Sequence, residues 1–482
     1  MSHSDLTVVL RRRIGPWMGF ESGRSRAKVF LSTPASARRM TDPSASPLAE
    51  LESAVQRSKS DRATAAALDA IRAKAPLMEV VRTSARAFVT HYDGASGVAP
   101  RSLVALSSAA NLIPVMQPRF QPLPILQAVS FVAAAKKADA PARPAAVMSG
   151  EITHLGRSFL FGVRDGNRPE AESIFLGMLA EGKERKMAGD MLFRAAIEDM
   201  GEAGRKLMVA VKSWQLAHSL GFKEARLLLR PAVQYLVSGP RDRTAFEAIL
   251  AALGKEWVDL EALASGGRPL DQEGRTKVRD IAAARDPSSC IAATLALLRD
   301  GYAAVSIGEG LAVEAAKRVV AAKGYDLDPA RAFMFTHAAG FVLRFSRTSE
   351  RLYALFQAAL RVRSPEPSSP AASTSDAPGE GEELCHLAGE FDARKPMEAA
   401  ARTRAYLSRG YSPSRLLDVL ANYACRDSTV SNDGITLIFA DTCAAEFLAS
   451  KAPEIPMALA KMIAASPKDQ VAYNTWAPHL AA

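Results

Sequence analysis

Strand-forming clusters, aromatics, cysteine and long apolar runs are all scarce in this chain, and each scarcity removes a class of answer. Aromatics are 7% of the 482 residues, and Val, Ile and Thr rarely cluster, while alanine and leucine dominate a 48% hydrophobic fraction. That profile excludes a β-sandwich or a parallel-sheet enzyme and predicts an all-α fold. Four cysteines, Cys290, Cys385, Cys425 and Cys443, are too few and too scattered for a disulfide framework. They read as reduced thiols of a cytoplasmic protein. No apolar run approaches the roughly 20 residues that span a bilayer, so a membrane is not an expected partner. The N-terminus has no apolar core between its basic residues and a cleavage site, so no secretory signal is expected.

Chemical signatures are equally sparse. The seven histidines, His3, His91, His154, His218, His337, His386 and His479, form no His-x-x-x-His or Glu-x-x-His pair. There is no Cys-x-x-Cys, and Cys385 and His386 are adjacent, which is not a chelating spacing on a helix. No metal or other cofactor is therefore expected. Gly-x-x-x-x-Gly-Lys-Ser/Thr and Gly-x-Ser-x-Gly are both missing. Gly308 and Gly310 make a Gly-x-Gly without a preceding strand or a third glycine, which reads as a turn into a helix.

Charge is what the chain has in surplus, at +10. It is unevenly placed. Residues 1–39 hold eight bases and two acids, whereas 364–383 hold five acids and no base. Elsewhere the bases are spread out, with no Lys/Arg stripe carrying interleaved aromatics, so nucleic acid is not an expected partner. Residues 1–46, rich in Ser, Pro and Arg, read as a disordered basic extension. Residues 364–383 read as a disordered acidic linker.

From Pro47 onward helix follows helix. Leu48, Leu51 and Val55 recur at helical spacing, and Asp61 can cap the helix that carries Leu68 and Ile71. The sequence also resembles itself at an offset near 230. Between 170–199 and 398–427 eight of thirty positions are identical, among them Gly182/Gly410, Asp190/Asp418 and Asp199/Asp427. Gly204, Leu207 and Ala210 match Gly434, Leu437 and Ala440, and Gln127-Ala128 matches Gln357-Ala358. We read an internal duplication. A first helical half over 47–270 and a second over 286–482 are joined by a charged connector at 271–285 with a short helix. Hairpins stacked this way predict a pseudo-twofold multi-helix bundle with a cleft between the halves.

The candidate residues of that cleft are Asp199, Asp427, Asp190, Asp418, Lys206, Lys212, Arg426 and His337. Asp199 and Asp427 have two readings. Facing each other near a pseudo-twofold axis, they could share an acid/base or metal site. Each also precedes a new helix by a few residues and could simply cap it or hold a local salt bridge. Gly204 and Gly434 suggest a helix start or a close helix approach. Trp214 and His218, four apart, are expected to pack together on one helix face.

The segment Arg194-Ala195-Ala196-Ile197-Glu198-Asp199 through Gly204-Arg205-Lys206-Leu207 has an echo. It is Ala424-Cys425-Arg426-Asp427 through Gly434-Ile435. Together they resemble a helical region of bacterial Rieske-associated proteins and of questin-oxidase-like proteins. That resemblance implies histidines after the motif glycine and at the start of the leucine-rich helices. Arg205, Ile435, Arg101 and Phe333 stand there instead, and the Rieske ligands Cys-x-His and Cys-x-x-His are absent. The functional expectation is a non-catalytic helical scaffold that binds a protein or small-molecule partner. The alternative is an oxidoreductase-related or redox-accessory protein of the resembled type. A third expectation is polyanion binding through the basic tail.

Overall fold

Apolar residues three and four apart fold as helices along the whole described chain. The computed structural model describes residues 46–143, 145–180, 185–363, 378–428 and 432–480. Residues 1–45 of the expected basic extension and 364–377 of the expected acidic linker lie outside the described residues. Glu380–Glu383, also assigned to that linker from sequence, open a helix instead. Carboxylates in a first turn are favoured by the helix dipole, which is the physical reason.

The helices are α1 (Pro47–Gln56), α2 (Ser60–Arg72), α3 (Leu77–Thr90), α4 (Arg101–Leu112), α5 (Pro122–Ala134) and α6 (Ile152–Asp165). Then come α7 (Arg168–Ala180), α8 (Arg185–Ile197), α9 (Gly201–Ser219), α10 (Ala225–Leu228), α11 (Arg230–Ser238) and α12 (Thr244–Lys255). They continue with α13 (Leu260–Ala264), α14 (Gln272–Ala283), α15 (Pro287–Arg299), α16 (Ala304–Ala321), α17 (Leu327–Phe345) and α18 (Leu352–Val362). The last are α19 (Glu380–Asp392), α20 (Pro396–Ser408), α21 (Pro413–Ala424), α22 (Ile435–Ser450), α23 (Glu454–Ala465) and α24 (Val471–Leu480). Among the described residues there is no β-strand, only one isolated bridge between Arg268 and Tyr302.

The starts of these helices follow from local chemistry. Ser46, Glu151, Asp271, Asp286, Asp326 and Ser412 each accept a backbone N–H from the turn they open. Proline sits in the first turn of α1, α5, α15, α20 and α21, where its missing N–H costs nothing. Asp61 does not cap. Lys59 holds the cap position of α2, and Asp61 lies within the first turn, where a carboxylate still suits the dipole.

Four helices meet in the middle. α4 packs against α9 and α22, and α17 packs against the same two. Their shared core includes Leu103, Leu106, Val209, Phe333, Phe335, Leu437 and Phe439. Phe333 and Phe439 meet edge to face at 5.3 Å. Each such side chain contributes about 1.5–3 kcal/mol by leaving water. Around this centre, α1 lies on α2 and α3, α6 on α7, and α20 on α23. The connector region carries α14, which packs on α15 and α16. The described residues from Ser46 onward form one compact unit.

The spacing near 230 recurs in three dimensions. Left-handed backbone occurs at Gly204 and Gly434 (φ 79° and 70°), at Gly221 and Lys451 (76° and 59°), and at Gly166 and Arg394 (79° and 56°). Two buried glutamines make crossed bonds. Gln127 Nε2 donates to the Asp427 carbonyl at 2.5 Å, and Gln357 Nε2 donates to the Ile197 carbonyl at 3.2 Å. Donors and acceptors are both 230 residues apart.

Candidate functional site

The cleft lies among the four central helices, and two irregular turns shape it. α9 does not begin as a regular helix. Glu202, Ala203 and Gly204 have φ of 51°, 62° and 79° before the helix settles. α22 is preceded by Asp433 and Gly434 at 55° and 70°. These turns bring charged side chains to the edge of a small, partly open apolar hollow. Its apolar lining includes Val104, Met208, Met334, Phe335 and Ile438. Its charged lining is Arg101, Arg205, Arg331, Glu202 and Asp433.

The charges do not balance. Arg101 pairs with Asp433, and Arg205 with Glu202 at 3.0 Å. Glu202 also accepts the Tyr235 hydroxyl proton. Burial, and then the charge of Arg205, pull the Arg101 guanidinium below its ordinary value; Arg331 acts the same way more weakly. Arg331 forms no ion pair among the described residues, and its buried Nε has no hydrogen-bond partner. Asp328, one turn earlier on α17, is held by Arg361. Three guanidinium groups therefore face two carboxylates, with one positive charge left over.

The eight sequence candidates lie elsewhere; none lines this hollow. Asp199 Oδ1 accepts the Gly201 and Asp242 backbone N–H groups at 2.8 and 2.9 Å, and Lys206 Nζ donates to Oδ2 at 2.6 Å. Asp427 Oδ1 accepts the Asp469 and Gln470 N–H groups at 2.8 and 2.9 Å, with Lys468 at 3.7 Å from Oδ2. Each aspartate thus fastens a later loop to the end of an earlier helix. No hydrogen bond or ion pair joins the two among the described residues. Asp418 accepts the Gln117 N–H at 2.8 Å, and burial raises its carboxyl above the ordinary value. Burial raises Asp190 too, opposed by a hydrogen bond from Ser346. Arg426 stacks over Tyr423 and Tyr473, and its Nε donates to Asn422. Trp214 and His218 both turn to Phe222, at 5.2 and 5.7 Å between ring centroids.

Two buried polar clusters cross between helices. Lys212 on α9 donates to Asp441 on α22 at 2.5 Å, and the Asn111 amide reaches the same oxygen at 3.3 Å. His337 Nδ1 lies 2.8 Å from Glu446, which Arg344 also approaches at 3.3 Å. Burial pushes the Glu446 carboxyl up. The His337 hydrogen bond and the charges of His337 and Arg344 outweigh it, leaving the group below its ordinary value. A depressed folded value stabilises above the unfolded value near pH 4.3, and the stabilisation is lost as pH falls through the folded one. Melting curves of Glu446→Gln should therefore start lower at pH 7 and fall less steeply than wild type below about pH 5. Parallel curves would count against this assignment. Among the described residues no group of three or more His, Cys, Asp or Glu could hold a metal ion.

Sequence reasoning expected a cleft but did not single out Arg331 or Asp433 in its lining. The offset was the available signal. Applied to arginines, it pairs Arg101 with Arg331.

Comparison with known families corrects two expectations. The family model for the MgsA AAA+ ATPase C terminal matches residues 170–258. No curated protein and no solved structure gives a significant match. The matched stretch runs from α7 through α12 and contains the whole Arg194–Leu207 motif. The resemblance to Rieske-associated and questin-oxidase-like proteins is thereby overturned. So are the functions drawn with it, a non-catalytic scaffold or a redox-accessory protein. The physical reason is that the motif encodes a helix end, a left-handed turn and a helix start. Such geometry is shared by unrelated helical families, and the histidines that would mark a redox site are missing.

Proposed function

We propose that this chain is an AAA+ ATPase-related protein that works together with an AAA+ ATPase subunit. The observation that carries the reading is the family match over 170–258. Its helices are a packed block rather than scattered resemblances: α9 lies on α8 and α11, and α7 on α11. Asp199 and Lys206 secure the turn at the centre of that block. The paired turns and crossed glutamine bonds support treating 398–465 as its counterpart in a duplicated chain.

These 482 residues contain no P-loop signature. The reading therefore places this chain's part in AAA+ work on the matched helices of 170–258. No described helix is long and apolar enough to cross a membrane. Three of the four cysteines are buried as free thiols, in keeping with a place in the cytoplasm beside such a partner.

The test mixes the purified chain with an MgsA-type AAA+ ATPase from the same cell. A complex should form at micromolar concentration, and the ATPase rate should change by about threefold or more. No complex and an unchanged rate would sink the proposal.

A further inference from the structure

The two turns at the cleft are alike in backbone and unlike in charge. Asp433 and Ala203 both stand directly before a left-handed glycine that opens a central helix. Arg101 and Arg331, 230 residues apart, both line the hollow beside those turns. Asp433 supplies a carboxylate to Arg101. Ala203, in the corresponding place, supplies none, and among the described residues Arg331 forms no ion pair; the carboxylate whose charge it feels, Asp328, is taken by Arg361. A half-buried guanidinium without a partner is costly in a low-dielectric hollow, and its fork matches a carboxylate in two hydrogen bonds.

We infer that the cleft binds a small organic monoanion: a carboxylate head on Arg331, with Arg101 and Arg205 alongside, and an apolar body against Met208, Met334 and Phe335. The single surplus charge sets the ligand charge at minus one. The apolar lining excludes a bare inorganic ion as the full occupant. Pockets that combine an apolar wall with a few convergent polar groups are how proteins hold such molecules. This inference is independent of the AAA+ reading, because it needs only the free chain.

Octanoate is the probe, followed by calorimetry and by melting temperature. Acetate carries the head alone, and octyltrimethylammonium the body with the opposite charge. Octanoate should bind with a roughly submillimolar Kd and raise the melting temperature, while the other two should do neither. Arg331→Gln should weaken octanoate about tenfold or more. Ala203→Asp should abolish binding by placing the missing carboxylate on the protein itself. Aspartate tolerates left-handed backbone better than alanine, so that variant should melt no lower than wild type. Equal binding of acetate, or of the ammonium compound, would reduce the site to charge alone or grease alone and overturn the inference. So would octanoate binding that is unchanged in both Arg331→Gln and folded Ala203→Asp.

Discussion

Asp441→Ala is expected to lower the free energy of unfolding by about 3–5 kcal/mol, as removal of one partner from a buried ion pair does. Lys212 is fully buried and Asp441 is 4% exposed. The aspartate is the ion-pair partner of Lys212, and the Asn111 amide donates to the same oxygen. Truncation strands the Lys212 ammonium group in a place that water does not reach, while the half-buried Asn111 amide keeps only Gln215. The double variant Lys212→Met/Asp441→Leu should recover most of the loss, because well-packed apolar side chains replace a buried pair at little net cost. Urea midpoints with an unchanged slope would measure both effects. A loss under about 1 kcal/mol for the single variant would mean that the pair is solvated in the folded protein.

The second large effect is expected at Gly204. Its φ of 79° lies where a side chain costs about 1–2 kcal/mol. An added Cβ would also sit 2.3 Å from Phe335 Cδ2 and 2.6 Å from Cε2. Phe335 is 1% exposed and cannot retreat without disturbing α17. Gly204→Ala should therefore cost about 2–4 kcal/mol in all. Gly221 is the control. It has nearly the same φ, 76°, with nothing within 4 Å of an added Cβ. Gly221→Ala should carry the backbone cost alone, about 1–2 kcal/mol. Equal losses at the two positions would show that the Phe335 contact is not felt.

These two positions also mark what the sequence made legible. Gly204 stood out because a glycine matched at an offset of 230 is hard to obtain from helical bias, and its backbone explains it. The all-α class was legible for the same kind of reason: alanine and leucine at helical spacing leave little else to form. Lys212 was visible as a residue, but Asp441, its partner 229 residues away, was not. An aspartate on an otherwise apolar helix carries no local mark of what it meets. Asp199 and Asp427 drew attention as a pair, whereas each is occupied with backbone N–H groups of its own neighbourhood. Paired acids attract a catalytic reading even when they fasten loops. Arg331 escaped notice because its distinction is relational. It lies in an acid that pairs with Arg101 and has no counterpart paired with Arg331 among the described residues, and a single sequence read forward does not display that difference.

The crossed glutamine bonds bear on how the hollow can exchange its contents. Gln127 and Gln357 are at most 1% exposed, and each reaches from one part of the chain to the backbone of the other. A hinge that swung these parts open would break both bonds at once, and would strand two amides and two carbonyls in an apolar seam. Hinge motions on the microsecond-to-millisecond scale are therefore disfavoured here. Access falls instead to the partly exposed, ion-paired arginines at the rim, whose side chains can rearrange without moving the helices behind them. The hollow behaves as a socket with a movable fringe, and traffic through it should be quick even though the walls stay still.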